Sequence, residues 1–196
     1  MVMPLLDHFD ILAPLYERVF PPGDSQDLCA RLGLPVAGAL LDAGGGTGRL
    51  AQLMRGKAGR IVVADLSLRM LAEANKKEGL NPVCALSEKL PFPDGFFERI
   101  LMVDAFHHVF SQQQTAQELW RMLQPGGRLV IEEPDVDSFA VKWIAFAEKL
   151  ALMRSHFFPP RRIAALFRFP GARVTIETGN HTAWITAEKA KKNRRD

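Results

Sequence analysis

Leu40-Leu41-Asp42-Ala43-Gly44-Gly45-Gly46-Thr47-Gly48-Arg49-Leu50 is the stretch that decides the fold of this 196-residue chain. An apolar run, 37–41, leads into it, and a helix-compatible run, 49–55, leads out. A short apolar run, then glycines, then a helix reads as strand, tight turn and helix start. Gly44, Gly46 and Gly48 carry no Cβ, so backbone there can come close to a ligand. The free N–H groups of the following helix point into the same space. Asp42 adds a carboxylate at the C-terminal end of the strand, the usual ligand end of an open α/β sheet.

The spacing is Asp-x-Gly-x-Gly-x-Gly. A Gly-x-Gly-x-x-Gly dinucleotide fingerprint would need its third glycine at Arg49, and no Gly-Lys-Ser/Thr triplet of a P-loop occurs. A carboxylate beside the loop repels a pyrophosphate and suits a ligand bearing positive charge. The plainer alternative is a tight turn with a structural Asp.

Downstream, Arg60-Ile61-Val62-Val63-Ala64-Asp65 reads as a strand buried on both faces that ends in an acid. Asp65 stands 17 residues past Gly48, where an α/β cofactor site places a carboxylate for a ribose diol. Ser67 can cap a helix over 68–77, which Gly79 ends. Further strands are expected over 82–86, 99–104 and 128–133, with a helix from Ser111 to about Leu123. Strands alternating with helices predict a doubly wound parallel sheet. The runs 173–178 and 181–188, parted by Gly179-Asn180, carry a hairpin signal and bring the strand count to seven. Ahead of the glycine loop, Asp24 or Ser25 can cap a helix over 26–32.

Composition bounds the rest. The length suits one domain, over 1–188, opened by a helical leader. No apolar run is long enough for a membrane span and no signal peptide opens the chain, so a cytoplasmic location is expected. Cys29 and Cys84 form neither a metal-ligand spacing nor a disulfide framework. The net charge of +3 is unevenly spread. Residues 189–196 hold five basic groups against Asp196, while the other 188 residues carry 20 basic and 21 acidic groups. A near-neutral body disfavours nucleic acid as a partner. The basic end reads as a flexible tail with at most a weak peripheral pull toward anionic lipid.

Four stretches bring the chain to a family: Leu41-Asp42-Ala43-Gly44-Gly45-Gly46-Thr47-Gly48; Asp65-Leu66-Ser67-Leu68-Arg69-Met70-Leu71; Leu90-Pro91-Phe92-Pro93-Asp94-Gly95; and Leu123-Gln124-Pro125-Gly126-Gly127-Arg128-Leu129. With the leader Phe9-Asp10-Ile11-Leu12-Ala13-Pro14-Leu15-Tyr16, they resemble the class I S-adenosylmethionine-dependent methyltransferases, over roughly 8–190. The subgroup is that of the ubiquinone/menaquinone biosynthesis methyltransferases (methyltransferase type 11). The resemblance implies a Rossmann-like seven-stranded sheet of order 3-2-1-4-5-7-6 whose last strand is antiparallel. It implies S-adenosyl-L-methionine as cofactor. Gly44, Gly46 and Gly48 would lie against its methionine part, Asp42 would hold its ammonium end and Asp65 its ribose hydroxyls. Leu66 would pack on the adenine, with Leu86-Ser87-Glu88 at the far edge. His107 would line the methyl-transfer side. Two positions depart from the family: Gly45, where Cys or Ser is frequent and the change is expected to be harmless, and Leu86, where an Asp often accepts from the adenine amino group.

A base is needed only if the nucleophile must lose a proton. The candidates are His107, His108, Asp104 and Glu133, with His107 the leading one. The Asp104-Ala105-Phe106-His107 stretch is not the Asn/Asp-Pro-Pro-Tyr type of amino-group DNA methyltransferases, and two cysteines cannot supply arsenic methylation. Phe139, Trp143, Phe146, Leu150, Met153 and Phe157 form one apolar helical stripe, read either as core or as the wall of an apolar pocket. Arg161 and Arg162 follow Pro159-Pro160 as a solvated helix start. The expected acceptor is a small, apolar or aromatic, quinone-like molecule. The rival expectation is a domain that keeps the fold without catalysis, with or without the cofactor.

Overall fold

The computed structural model describes residues 25–135 and 156–191. The leader, the stripe from Phe139 to Met153 and the tail beyond Lys191 lie outside the described residues. In chain order the elements are α1 (Ser25–Leu32), β1 (Ala39–Ala43), α2 (Arg49–Leu53), β2 (Arg60–Asp65), α3 (Leu68–Asn75), β3 (Leu80–Cys84), β4 (Phe97–Val103), α4 (Gln112–Met122), β5 (Leu123–Pro134), α5 (Pro160–Leu166), β6 (Ala172–Gly179) and β7 (Thr182–Lys189).

The seven strands form one sheet in the order β3-β2-β1-β4-β5-β7-β6. The pairs β1–β2, β1–β4, β2–β3 and β4–β5 are parallel, and β7 runs antiparallel to both neighbours. This is the expected Rossmann-like doubly wound order, last strand included.

Alternation along the central strands builds a core on each face. Leu41, Val62, Ile100 and Leu129 point to the face covered by α4 and α5, where they meet Leu119, Ile163 and Phe167. Leu40, Ile61, Val63 and Leu101 point the other way, onto Leu32 of α1, Met54 after α2 and Leu71 of α3. Ser67 and Ser111 cap α3 and α4, their hydroxyls accepting from Met70 N at 3.1 Å and Gln114 N at 3.3 Å. α5 starts at Pro160 with Arg161 and Arg162 exposed, the latter's guanidinium 3.5 Å over the Phe158 ring.

Several boundaries shift. β3 begins at Leu80 rather than 82, because its register on β2 starts at Ile61↔Leu80. The terminal hairpin closes at Gly179↔Thr182, so Asn180 and His181 are the turn residues, with φ of 52° and 65°. Two positive φ values are what a two-residue turn needs to match strand twist, and Asn, unlike most residues, tolerates one readily. Lys189 belongs to β7 rather than to a flexible tail: its ammonium donates to Trp120 O at 2.9 Å and Leu123 O at 2.8 Å. Among the described residues no helix is long and apolar enough to cross a membrane.

Candidate functional site

β4, β1, β2 and β3 are consecutive neighbours, and the loops leaving their C-terminal ends surround one cavity of about 1020 Å³, open mouth included. Its wall contains Asp42, Gly44 to Gly46 and Arg49 from β1 and its loop, and Asp65 to Ser67 from the end of β2. Ala85 to Glu88 contribute from beyond β3, and Asp104, Ala105 and His108 to Phe110 from beyond β4.

The glycine loop is built for close approach. Gly44 has φ of 68°, and a Cβ on it would meet Ala105 Cβ at 2.5 Å, so only a bare backbone lets the β1 and β4 loops meet. Gly46 has φ of 54° and turns its N–H to Asp65 Oδ2 at 2.9 Å. Asp65 Oδ1 accepts from Ser67 N at 2.8 Å, so the carboxylate is fixed from both sides at the end of β2. Gly48 serves differently. It is buried and absent from the cavity wall, and a Cβ there would fall 2.7 Å from Leu80 Cδ1. Its role is to seat α2 against β3. A Cβ on Gly45 would lie 2.5 Å from Asp42 Cγ.

Asp42 is 2% exposed, and its Oδ2 has no hydrogen-bond partner among the described residues. Burial raises its pKa to about 7, against the opposing charge of Arg49 and a hydrogen bond from the Ala51 backbone, with Asp65 adding to the rise. A buried acceptor on a cavity wall is a candidate partner for a donor that arrives with a ligand.

Across the cavity, Asp104 follows β4 with φ of 50°, a left-handed conformation uncommon for a residue with a side chain. Its carboxyl is raised to about 6 by the protein around it, then by Glu133 and Glu132, and lowered less by His107 and Arg49. The residue itself is exposed to the cavity, so solvent there tempers the rise. His108 also lines the wall, its pKa pulled down to about 3 by burial and then by His107.

His107 lies behind that wall, 3% exposed and not on it. Its Nδ1 donates to Glu133 Oε2 at 2.6 Å, since a carboxylate can only accept. Its ring stacks on Phe157 at 4.3 Å and tilts against His108 at 4.0 Å between centroids. Glu133 Oε1 meanwhile accepts from Phe106 N at 2.8 Å. His156 N donates to His107 O, and Gln112 Nε2 reaches His156 O, both at 2.7 Å. The segment at 156–158 is thereby tied to the β4 loop.

Of the residues expected from sequence, Asp42, Gly44, Gly46, Asp65, Leu66 and Ser87 come together on the cavity wall, and Gly48 and His107 do not. Arg49, Met70, Val109 and Phe110 also line it. Arg49 had a signal, as a cation at the first position of a helix following Asp42. Phe110 had none beyond its nearness to the His pair. Among the described residues no cluster of three or more His, Cys, Asp or Glu is placed to hold a metal ion.

Residues 41–131 match a family model described as a methyltransferase domain. The chain is 35% identical over 104 residues to the ubiquinone/menaquinone biosynthesis C-methyltransferase of Pectobacterium atrosepticum, a match covering 48% of this chain and 41% of that protein. It therefore spans less than half the length of that relative. The fold is similar to a SAM-dependent methyltransferase from Thermotoga maritima, with TM-score 0.74 and 24% identity over 92% of this chain and 98% of the other. It is also similar to geranyl diphosphate C-methyltransferase from Streptomyces coelicolor, solved with S-adenosyl-L-homocysteine, with TM-score 0.71 and 17% identity over 85% and 76% of the two chains. Over residues 41–131 the chain is thus similar to a methyltransferase domain, and its fold is similar to that of a SAM-dependent methyltransferase.

Proposed function

We propose that the chain binds S-adenosyl-L-methionine in this cavity and methylates a small, apolar or aromatic acceptor, a quinone-like ring being the first candidate. The observation that carries the cofactor reading is the buried, open Oδ2 of Asp42 beside the glycine loop, one strand away from the fixed carboxylate of Asp65. Asp42 suits an ammonium group, Gly44 and Gly46 give backbone access, Asp65 suits two hydroxyl donors, and Leu66 and Ser87 face a base. When bound, S-adenosylmethionine supplies a methyl group made electrophilic by its sulfonium.

The residues of the chain then have the work of orientation. An in-line approach gains its rate mainly from alignment of the acceptor. The wall after β4 offers Ala105, Val109 and Phe110 as apolar surface beside Asp104 and His108, the mixture expected of a small-molecule site. A carbon acid or phenol must also lose a proton. On the part of the wall that follows β4, Asp104 is the group whose proton affinity lies closest to neutral, and it serves as the acceptor of that proton. His107, held by Glu133 behind the wall, acts as a positioning residue for the His108 side of the loop rather than touching the acceptor. The name of the Pectobacterium relative supports the quinone-like acceptor.

Calorimetric titration with S-adenosyl-L-homocysteine tests the cofactor reading, and absence of binding at millimolar ligand ends it. An acceptor panel read by release of that product tests the rest. Turnover confined to amino acids or tRNA would end the apolar-acceptor reading. Binding with no turnover on any acceptor would make the chain a cofactor-binding regulator on a methyltransferase fold.

A further inference from the structure

The strand order acts as a ruler across the cavity. Neighbouring strands lie about 4.8 Å apart, so the ends of β4, β1, β2 and β3 span roughly 14 Å. On the proposed function, which this inference rests on, the ribose sits at Asp65 on β2 and the ammonium at Asp42 on β1. The base must then continue in the same direction, past β2 to the end of β3. Ala85 N donates to Asp65 O at 3.0 Å, which draws the 85–88 turn up against that end.

Two leucines stand there with unusual exposure for their type. Leu66 is 53% and Leu86 40% exposed, and both line the cavity. Exposed leucine side chains on the wall of one cavity can cover a flat ring, and they offer it no hydrogen bond. At the edge of the slot stands Ser87, whose hydroxyl can accept from an amine or donate to a carbonyl by rotating. Among the side chains of 85–88, Glu88 carries the obligatory acceptor, and its Oε1 already accepts from Ser111 N at 2.9 Å, which holds it toward the start of α4.

We propose that this slot grips the purine by its faces between Leu66 and Leu86 and reads its 6-position only through Ser87, so that it accepts 6-amino and 6-oxo purines alike. A site built around a fixed hydrogen-bond partner rejects the mismatched ligand by on the order of 10⁴-fold, and a site of apolar walls with an adaptable hydroxyl cannot.

Binding of S-adenosyl-L-homocysteine and S-inosyl-L-homocysteine to the full chain, measured by calorimetry, tests this without any acceptor. The expected dissociation constants agree within about tenfold. A preference for the adenosyl compound above that overturns the inference, and its disappearance in Glu88→Gln would identify Glu88 as the reader. Leu86→Asp, which places a fixed acceptor at the exposed slot, is expected to create an adenosyl preference of about tenfold or more. A folded Leu86→Asp protein with an unchanged ratio would remove Leu86 from the 6-position and sink the placement. Should that variant fail to fold, the wild-type ratio decides alone. Binding of neither compound overturns the proposed function and this inference together, whereas tight binding of one alone overturns only the inference.

Discussion

Asp42 carries a cost in stability that the proposed binding role would explain. In the folded chain its proton is held to about pH 7, whereas in the unfolded chain it leaves near 3.8. Between those values the folded state binds more protons, so Asp42's contribution to stability falls as pH rises, and the full penalty stands above about pH 7. Asp42→Asn keeps the shape and removes the charge. It is expected to raise the apo protein's stability at about pH 8 by roughly 1–2 kcal/mol, seen as a higher melting temperature. The same variant should weaken S-adenosylhomocysteine binding by roughly 1–3 kcal/mol, the value of a hydrogen bond to a charged group. In the wild type, affinity should decline as pH falls below about 7, because the ammonium prefers the ionised carboxylate. Calorimetry in buffers of different ionisation enthalpy would register the released proton. Asp104 carries a separate pH signature. If it takes the acceptor's proton, the rate falls as pH drops through about 6, and Asp104→Asn lowers turnover about 10²-fold with product-cofactor binding intact. A rate that stays flat through that range would pass the role to His108, whose proton leaves near 3.

At the scale of elements, the glycine loop divides into a ligand half and a packing half. Gly44 and Gly46 face the cavity, while Gly48 lies between α2, Leu80, Ala74 and Val63. Gly48→Ala places a Cβ at a φ of 71° against Leu80, and is expected to cost roughly 1–3 kcal/mol in chemical denaturation. A destabilisation within a few tenths of a kcal/mol would show that α2 simply shifts. The β6–β7 turn offers the opposite test. His181 holds a φ of 65° that a histidine adopts at some cost. His181→Gly should leave stability unchanged or raise it by up to about 1 kcal/mol, since the relief of strain outweighs the added freedom of the unfolded chain. The turn sits one residue later than Gly179-Asn180 suggests, because strand pairing runs to Gly179↔Thr182 and pairing outranks the local turn signal.

Among the described residues, the cavity opens at one end of a sheet packed on both faces. A ligand that bridges β1, β2 and β3 binds only the folded chain, so S-adenosylhomocysteine should raise the melting temperature in proportion to the logarithm of its concentration. Saturating ligand at about 100 times its dissociation constant corresponds to ~2.7 kcal/mol of added stability. The loop after β4 is the most cross-braced part of the site. Glu133 holds Phe106 N and His107, and Gln112 bridges Phe106 O at 3.1 Å to His156 O. The side of the cavity formed by the loop after β4 is thus anchored from β5, α4 and the segment before α5 together.

How much of this the chain announces locally differs from residue to residue. The strand–glycine–helix stretch, the apolar run ending in Asp65 and the caps Ser67 and Ser111 are decided by neighbours in sequence: φ above zero, missing Cβ atoms, twofold alternation and side-chain caps. A parallel sheet with Asp42 and Asp65 at the C-terminal ends of two of its strands follows from these, whereas the strand order was implied by the family resemblance of the motif stretches. Residues whose role depends on what stands across from them were beyond local reading. Gly48 looks like its neighbours until Leu80 arrives from another strand. His107 and His108 are adjacent in sequence, and only Glu133 on β5 and the Phe157 ring decide that the first is buried while the second faces the cavity. The proton affinities of Asp42 and Asp104 were equally hidden, since burial and the charges of Arg49, Glu132 and Glu133 are assembled from distant parts of the chain. Backbone conformation is settled by local sterics, and the orientation and charge of a side chain by the three-dimensional company that folding brings to it.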